Sequence, residues 1–254
     1  MKRIIAVFLI FSAGISQLNS QTLKVMSYNI HVGQNSKNED KLREIAEFIK
    51  ASKADIIGLQ EVDSVCNRSG KIDQMKFLAE QTGMHYAYAR HFAFDGGSYG
   101  LGVLSRYPLH TIKNNRISVT IAGKPETRAL LSASIFQRGK EISFATVHMD
   151  YRDQRSRLKQ SEEIVKMFSG NKNPVILTGD FNARPGTKEL LALEGFFADV
   201  SYLSGPTYPA VKPLNRIDFI MLSKAHLNKV KKQETLAVEY SDHLPVVSSF
   251  KWTW

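Results

Sequence analysis

Short apolar stretches alternate with amphipathic ones along the whole chain. "LKVMSYNI", Leu23 to Ile30, switches between apolar and polar residues as a half-buried strand does. "EDKLREIAEFIKASKA" spaces Leu42, Ile45, Ala46 and Ile49 at helical intervals, one apolar stripe. "ADIIGLQEV" reads as a continuous apolar strand ending in Gln60 and Glu61, and "KIDQMKFLAEQTG" as a second helix closed by Gly83. "YGLGVLSRYP" and "TRALLSASIF" predict strands, and "KEISFATVHM" a strand whose polar end is His148. "SRLKQSEEIVKMFSG" predicts a helix with Leu158, Ile164, Val165 and Phe168 inward and Gly170 as its cap. "VILTGD" is the next strand, followed by a short helix from Thr187 and the loop "SGPTYPAVKPLN". "RIDFIML", "ETLAVEY" and "HLPVVSSF" complete the set. Hairpin-length spacings mixed with crossovers predict two packed mixed sheets flanked by helices, in one domain over residues 22–254.

Residues 1–20 follow a different pattern. Lys2 and Arg3 precede the apolar run "IIAVFLIFSAGI", and small polar residues follow from Ser16 to Ser20. That layout predicts a secretory signal peptide cut near Ser20, and therefore a periplasmic or extracellular protein. A retained membrane anchor is the alternative, but the run is short for a bilayer span. Removing the leader takes Lys2 and Arg3 and no acid, so the net charge of +10 becomes +8. A basic exported protein is compatible with an anionic partner, although a basic surface by itself names none. Cys66 is the only cysteine, so no internal disulfide forms and a monomer must be held by its core.

Apolar strands repeatedly end in polar groups: Asn29, Glu61, His148, Asp180 with Asn182, Asp218, and Asp242 with His243. Each has an ordinary explanation on its own. Asn29 can serve a turn, Asp180 and Asn182 an Asx turn, and Asp218 a surface ion pair with Arg216. Six such ends in one chain fit a shared cleft better, because strand ends are where a rigid sheet can hold reactive side chains.

The ordered set "SYNIH", "LQEVD", "YGLGVLSRYP", "VHMD", "GDFNARP", "RIDFIML" and "SDHLPV" resembles the endonuclease/exonuclease/phosphatase superfamily, over essentially all of the chain after the leader. The resemblance implies a DNase I-like fold: a four-layer αββα sandwich, two mixed β-sheets packed face to face with helices outside. It also implies a divalent-metal-dependent hydrolase of phosphate esters acting on nucleic acid, phospholipid or a phosphorylated small molecule.

Hydrolysing a phosphate ester requires neutralising an anion, supplying a nucleophilic water and protonating a departing oxygen. Hard oxygen donors suit Mg²⁺ or Mn²⁺. On this resemblance Glu61 and Asn29 are metal ligands, with Asp242 in a second position. Asp180 orients or deprotonates the water, and Asn182 holds a phosphate oxygen or that water. His243, paired with Asp218, steadies charge on the phosphorus, and His148 donates to the leaving oxygen or to the phosphate. Tyr99 and Arg128 fall near the family's cleft as substrate-binding candidates. His31 stands where apurinic endonucleases carry an acid, which argues against a second fixed metal and against abasic-site specificity. The surroundings of Asp218 lack the tryptophan and cysteine of inositol-phosphate 5-phosphatases. The expectation is therefore a phosphodiesterase, nuclease or phospholipase-C-like, with an inositol-phosphate-type monoesterase or a non-catalytic phosphate-binding module as alternatives.

Overall fold

The computed structural model describes residues 22–227 and 229–251; the expected leader lies outside them. Two six-stranded sheets form the centre of the molecule. The first runs in the order β11 (Lys229–Thr235), β12 (Val246–Lys251), β1 (Thr22–Asn29), β2 (Ile56–Ser64), β4 (Gly97–Ser105) and β3 (His85–Phe94). The second runs β5 (His110–Ile121), β6 (Lys124–Gln137), β7 (Lys140–His148), β8 (Val175–Asp180), β10 (Asp218–Ser223) and β9 (Phe197–Asp199). Both sheets are mixed, since β1 pairs parallel with β2 and β7 parallel with β8, whereas their other pairings are antiparallel.

The layers follow from the period of two along each strand. Leu23 and Val25 of β1, Ile56 of β2, Phe144 of β7, Ile176 of β8 and Ile220 of β10 meet between the sheets. Their neighbours Met26, Tyr28, Ile57 and Leu59 face outward onto α1 (Leu42–Ser52) and α2 (Gln74–Thr82). On the other side Val147, Leu177 and Met221 face outward with Ile164 and Phe168 of α3 (Gln154–Phe168) and Leu190 and Leu193 of α4 (Lys188–Glu194). The result is two mixed sheets flanked by helices, as the strand and helix pattern predicts, and the four-layer DNase I-like sandwich that the resemblance implies. Gly58 lets the sheets approach: a Cβ there would collide with Thr178 Oγ1 and lie 2.7 Å from Thr146 Oγ1.

The α1 stripe is buried as expected, and Gly83 closes α2 with a positive φ of 69°. Four local expectations change. β2 does not end at Glu61 but continues to Ser64 through a β-bulge. Only the first two residues of "ETLAVEY" are strand: β11 is Lys229–Thr235, where Lys231 and Lys232 suit a sheet edge, and the chain leaves the ladder at Leu236. α3 is capped by Ser169 rather than Gly170, and its buried face includes Ser156, Gln160 and Ser161 while Leu158 is half-buried. β5 and the three-residue β9 carry too weak an apolar pattern to be seen; much of β5 is exposed.

Candidate active site

The pleat brings the polar strand ends to the seam between the sheets. Asn29 continues the inward row of Leu23 and Val25, His148 that of Ile142 and Phe144, Asp180 that of Ile176, and Asp218 that of Ile220 and Leu222. Strand register then aligns them: His148 is the direct partner of Asp180 across β7–β8, and Asp218 of Asp180 across β8–β10. Three reactive side chains therefore stand side by side on one row of the second sheet, where facing residues are close enough to interact.

Glu61 reaches the same row by a different route. By strict alternation it would follow Ile57 and Leu59 toward the helices. The bulge between Leu59 and Val62, with Glu61 at a φ of 57°, returns Val62 to the outer face and turns Glu61 to the seam. A positive φ is uncommon for glutamate, and bulges recur beside active sites, where they re-aim a side chain.

Asn29 joins the two sheets chemically. Its Nδ2 donates to Glu61 Oε1 at 2.9 Å and to Asp180 Oδ2 at 3.0 Å, and its Oδ1 accepts the backbone N–H of His31. Asp180 Oδ2 also lies 3.5 Å from His148 Nε2 and 3.6 Å from His243 Nε2. Its other oxygen accepts the backbone N–H of Asn182, so the Asx turn forms and one carboxylate oxygen still faces the site. The Asn182 side chain donates to the carbonyl of Met149.

His243 is held at both nitrogens, with Nδ1 2.9 Å from Asp218 Oδ2. Burial alone would lower its pKa; Asp218 and Asp180 outweigh burial and raise it to about 10, so the ring is an imidazolium at neutral pH. Asp218 is fully buried, and burial pushes its carboxyl upward against the pull of His243. Arg216 is not its partner but pairs with Asp199 at 2.8 Å. Asp242 lies 3.9 Å from the His31 ring; burial raises its carboxyl, His243 and His31 pull it back, and nearby Glu61 pushes it further up. Ser241 Oγ donates to the Asn29 carbonyl, which ties this loop to the end of β1.

Two clusters of metal-ligand type occur among the described residues, Glu61–His148–Asp180 and Asp180–Asp218–His243, with donor atoms within 4.8 Å of one another. Three carboxylates, Asp218, Asp180 and Asp242, act on the imidazolium of His243 here, and Asp242 is raised in part by Glu61. An oxygen-rich, net acidic donor set of this kind fits a hard divalent cation.

Tyr99 and Arg128 line a cavity of about 310 Å³ that opens beside Glu61 and His148. The Tyr99 hydroxyl is 3.5 Å from His148 Nδ1, and burial followed by Glu61 pushes its pKa well up, keeping it a neutral donor. Of the arginines after His148, Arg152 pairs with Asp150 at 2.7 Å and lines this cavity, while Arg157 pairs with the buried Glu189 at 2.8 Å. Arg68 and His91 also line the cavity, although neither stands out in the sequence as a site residue. Ala87, Ala89 and His91 share one face of β3, and that alternation is the signal that places His91 inward.

Two face-to-face mixed sheets with carboxylates, amides and imidazoles gathered at one end of their seam define a DNase I-like α/β sandwich. The chain belongs to the endonuclease/exonuclease/phosphatase family, whose profile matches residues 26–243 and whose members hydrolyse phosphate esters, typically with a divalent metal. It is 29% identical over 226 residues to the uncharacterized protein YbhP of Escherichia coli K12, covering 82% of this chain and 88% of that protein. A family protein from Leptotrichia buccalis C-1013-b superposes with a TM-score of 0.75 at 21% identity, over 91% of this chain and all of that one. A mannosyl-6-phosphatase of Bacteroides thetaiotaomicron VPI-5482 superposes at 0.68 with 22% identity, over 89% of this chain and 98% of that one.

Proposed function

We propose that this protein is a divalent-metal-dependent phosphoesterase that hydrolyses its substrate by direct attack of water, with phosphodiesters as the first class to test. The observation that carries the reading is the surroundings of Asp180 Oδ2, where the Asn29 amide, His148 Nε2 and His243 Nε2 converge on one carboxylate oxygen. Asp180 is suited to orient a water and take its proton as the new P–O bond forms. The His243 imidazolium, fixed by Asp218, stabilises the negative charge that accumulates on the phosphoryl oxygens. His148 is suited to protonate the departing oxygen as the old P–O bond breaks, with the Tyr99 hydroxyl holding its ring. Asn182 donates to a phosphate oxygen or to the water.

Glu61 would hold the cation, with Asn29 and Asp242 completing the protein's share of its ligands, and Mg²⁺ or Mn²⁺ suits such donors. When bound, the ion neutralises phosphate charge and favours deprotonation of water. The basic leader-like start supports export, to the periplasm or beyond, as a further part of the proposal. The test is a panel of plasmid DNA, RNA, sphingomyelin, phosphatidylinositol, inositol phosphates and sugar phosphates, with and without Mg²⁺ or Mn²⁺. Metal-dependent release from at least one ester is expected; no turnover on any of them favours the binding-module alternative.

A further inference from the structure

His91 is a buried donor that the proposed chemistry does not use. It lies at the bulge between Arg90 and Phe92 in β3 and is only 5% exposed. Its Nδ1 accepts the backbone N–H of Ala129 at 2.8 Å, which fixes the tautomer: the proton sits on Nε2. Burial, then the His148 ring and the Arg128 and Arg116 guanidinium groups, hold its pKa well below the ordinary value, so the ring is neutral. Nε2 has no hydrogen-bond partner among the described residues. A buried N–H without an acceptor is destabilising, and such groups in native proteins call for an explanation.

The explanation lies in what shares the cavity. Three arginines line it. Arg68 is neutralised by a two-pronged bond to Asp63, and Arg152 by Asp150. Arg128 has no such bond among the described residues: its guanidinium stacks over Phe92, and the carboxylate paired with it, on the half-exposed Glu126, is 3.9 Å away. The cavity therefore has Glu61 and His148 at its reacting end and two donors without acceptors, Arg128 and the His91 Nε2–H, along its wall. Its volume of about 310 Å³ suits a small molecule.

We infer that His91 is a specificity-determining residue: with Arg128 it receives a second anionic group of a small phosphate-ester substrate, so that the substrate class is a compact molecule carrying two phosphate-like charges. The inference rests on the phosphoesterase reading of the adjoining site. A neutral N–H beside a guanidinium favours an anion over a sugar hydroxyl, because each offers hydrogen and neither accepts it.

The test compares pairs that differ by one phosphate: glucose 1-phosphate with glucose 1,6-bisphosphate, and adenosine 5′-monophosphate with adenosine 3′,5′-bisphosphate. Calorimetric titrations in EDTA read binding without turnover, so they succeed or fail separately from hydrolysis. In at least one pair the bisphosphate should bind the unaltered protein roughly tenfold more tightly, the size of a charge-assisted contact. His91→Asn keeps an acceptor for the Ala129 N–H and deletes the cavity donor, and it should reduce that preference severalfold. Independently of any variant, the His91 Nε2 NMR resonance should move when the bisphosphate is added and not with the monophosphate. Equal affinities within both pairs, a preference undiminished in His91→Asn, or an unmoved resonance with bisphosphate bound would each overturn the inference. A short oligothymidylate that gains the same factor over thymidine monophosphate would also overturn the small-molecule assignment.

Discussion

His243 Nδ1 sits 2.9 Å from Asp218 Oδ2 inside the protein, while Nε2 of the same ring points to Asp180 at 3.6 Å. The imidazole is strung between two carboxylates, one that fixes its charge and one that belongs to the reacting centre. In the proposed mechanism the pair is structural and catalytic at once, which separates the effects of altering its two members.

Folding raises the His243 pKa above its ordinary value of 6.5, to about 10. The native state therefore binds this proton more tightly than the unfolded chain does. The stabilisation is complete below pH 6.5 and is lost as the pH rises toward 10. Melting temperature should fall over that window, and less steeply in His243→Gln; coincident profiles for the two proteins would contradict the assignment.

Asp218→Asn removes the carboxylate that keeps the ring charged. The alkaline limb of the activity profile should move to lower pH, with turnover reduced by about 10²–10³-fold near neutrality, the usual range for losing one charge-stabilising donor. His243→Ala should be worse for stability than for the mechanism alone, because it strands a buried carboxylate at a cost of about 3–5 kcal/mol. Thermal melts of both variants beside a pH–rate series check this; an unshifted limb in Asp218→Asn is the contrary result.

Asp180→Asn is nearly isosteric, keeps an oxygen for the backbone N–H of Asn182 and loses the base. It should lower turnover on any cleaved ester by about 10²–10⁴-fold, and lower the melting temperature as well, because the new amide N–H group meets the Asn29 Nδ2 donor. Wild-type rate in this variant would reject Asp180 as the group that prepares the water.

Exhaustive chelation should abolish hydrolysis, and Mg²⁺ or Mn²⁺ should restore it. Glu61→Gln should raise the metal concentration needed for half-maximal activity, because a neutral amide replaces the charged ligand. Full activity after chelation, or an unchanged metal requirement in the variant, would remove Glu61 from that role.

Away from the site, Arg157 and Gln154 both hydrogen-bond the buried Glu189 and so join α3 to α4. Burial raises the Glu189 carboxyl, but its backbone and side-chain hydrogen bonds leave it below the ordinary value. Its contribution is present above that ordinary value and is lost as the pH falls through the native one. Arg157→Ala should destabilise the protein by about 3–5 kcal/mol, measurable by urea unfolding at neutral pH. A loss under about 1 kcal/mol would show the pair behaving as a surface ion pair.

Apolar runs in the sequence were enough to find β1, β7, β8 and β10, and with them the strand ends that carry Asn29, His148, Asp180 and Asp218. The α1 stripe was equally legible, because a period of 3.6 over three turns has no competing reading. β5 was not, since a hairpin arm with much of its surface in water has no apolar period to detect. Glu61 looked like the end of a strand because a bulge leaves no mark in hydrophobicity. His91 was passed over because one histidine among aromatic residues looks like packing until its hydrogen bonds are counted.

What the chain determined by itself was which segments are buried and where they turn polar, since burial of apolar surface is a property of composition and spacing. What only the tertiary structure decided was register and approach: that His148 and Asp218 both fall opposite Asp180, that Gly58 lets the sheets close, and that Asn29 spans from one sheet to the other. Those distances depend on pairings between residues far apart along the chain. No local pattern encodes them, because their energy exists only once the two sheets have met.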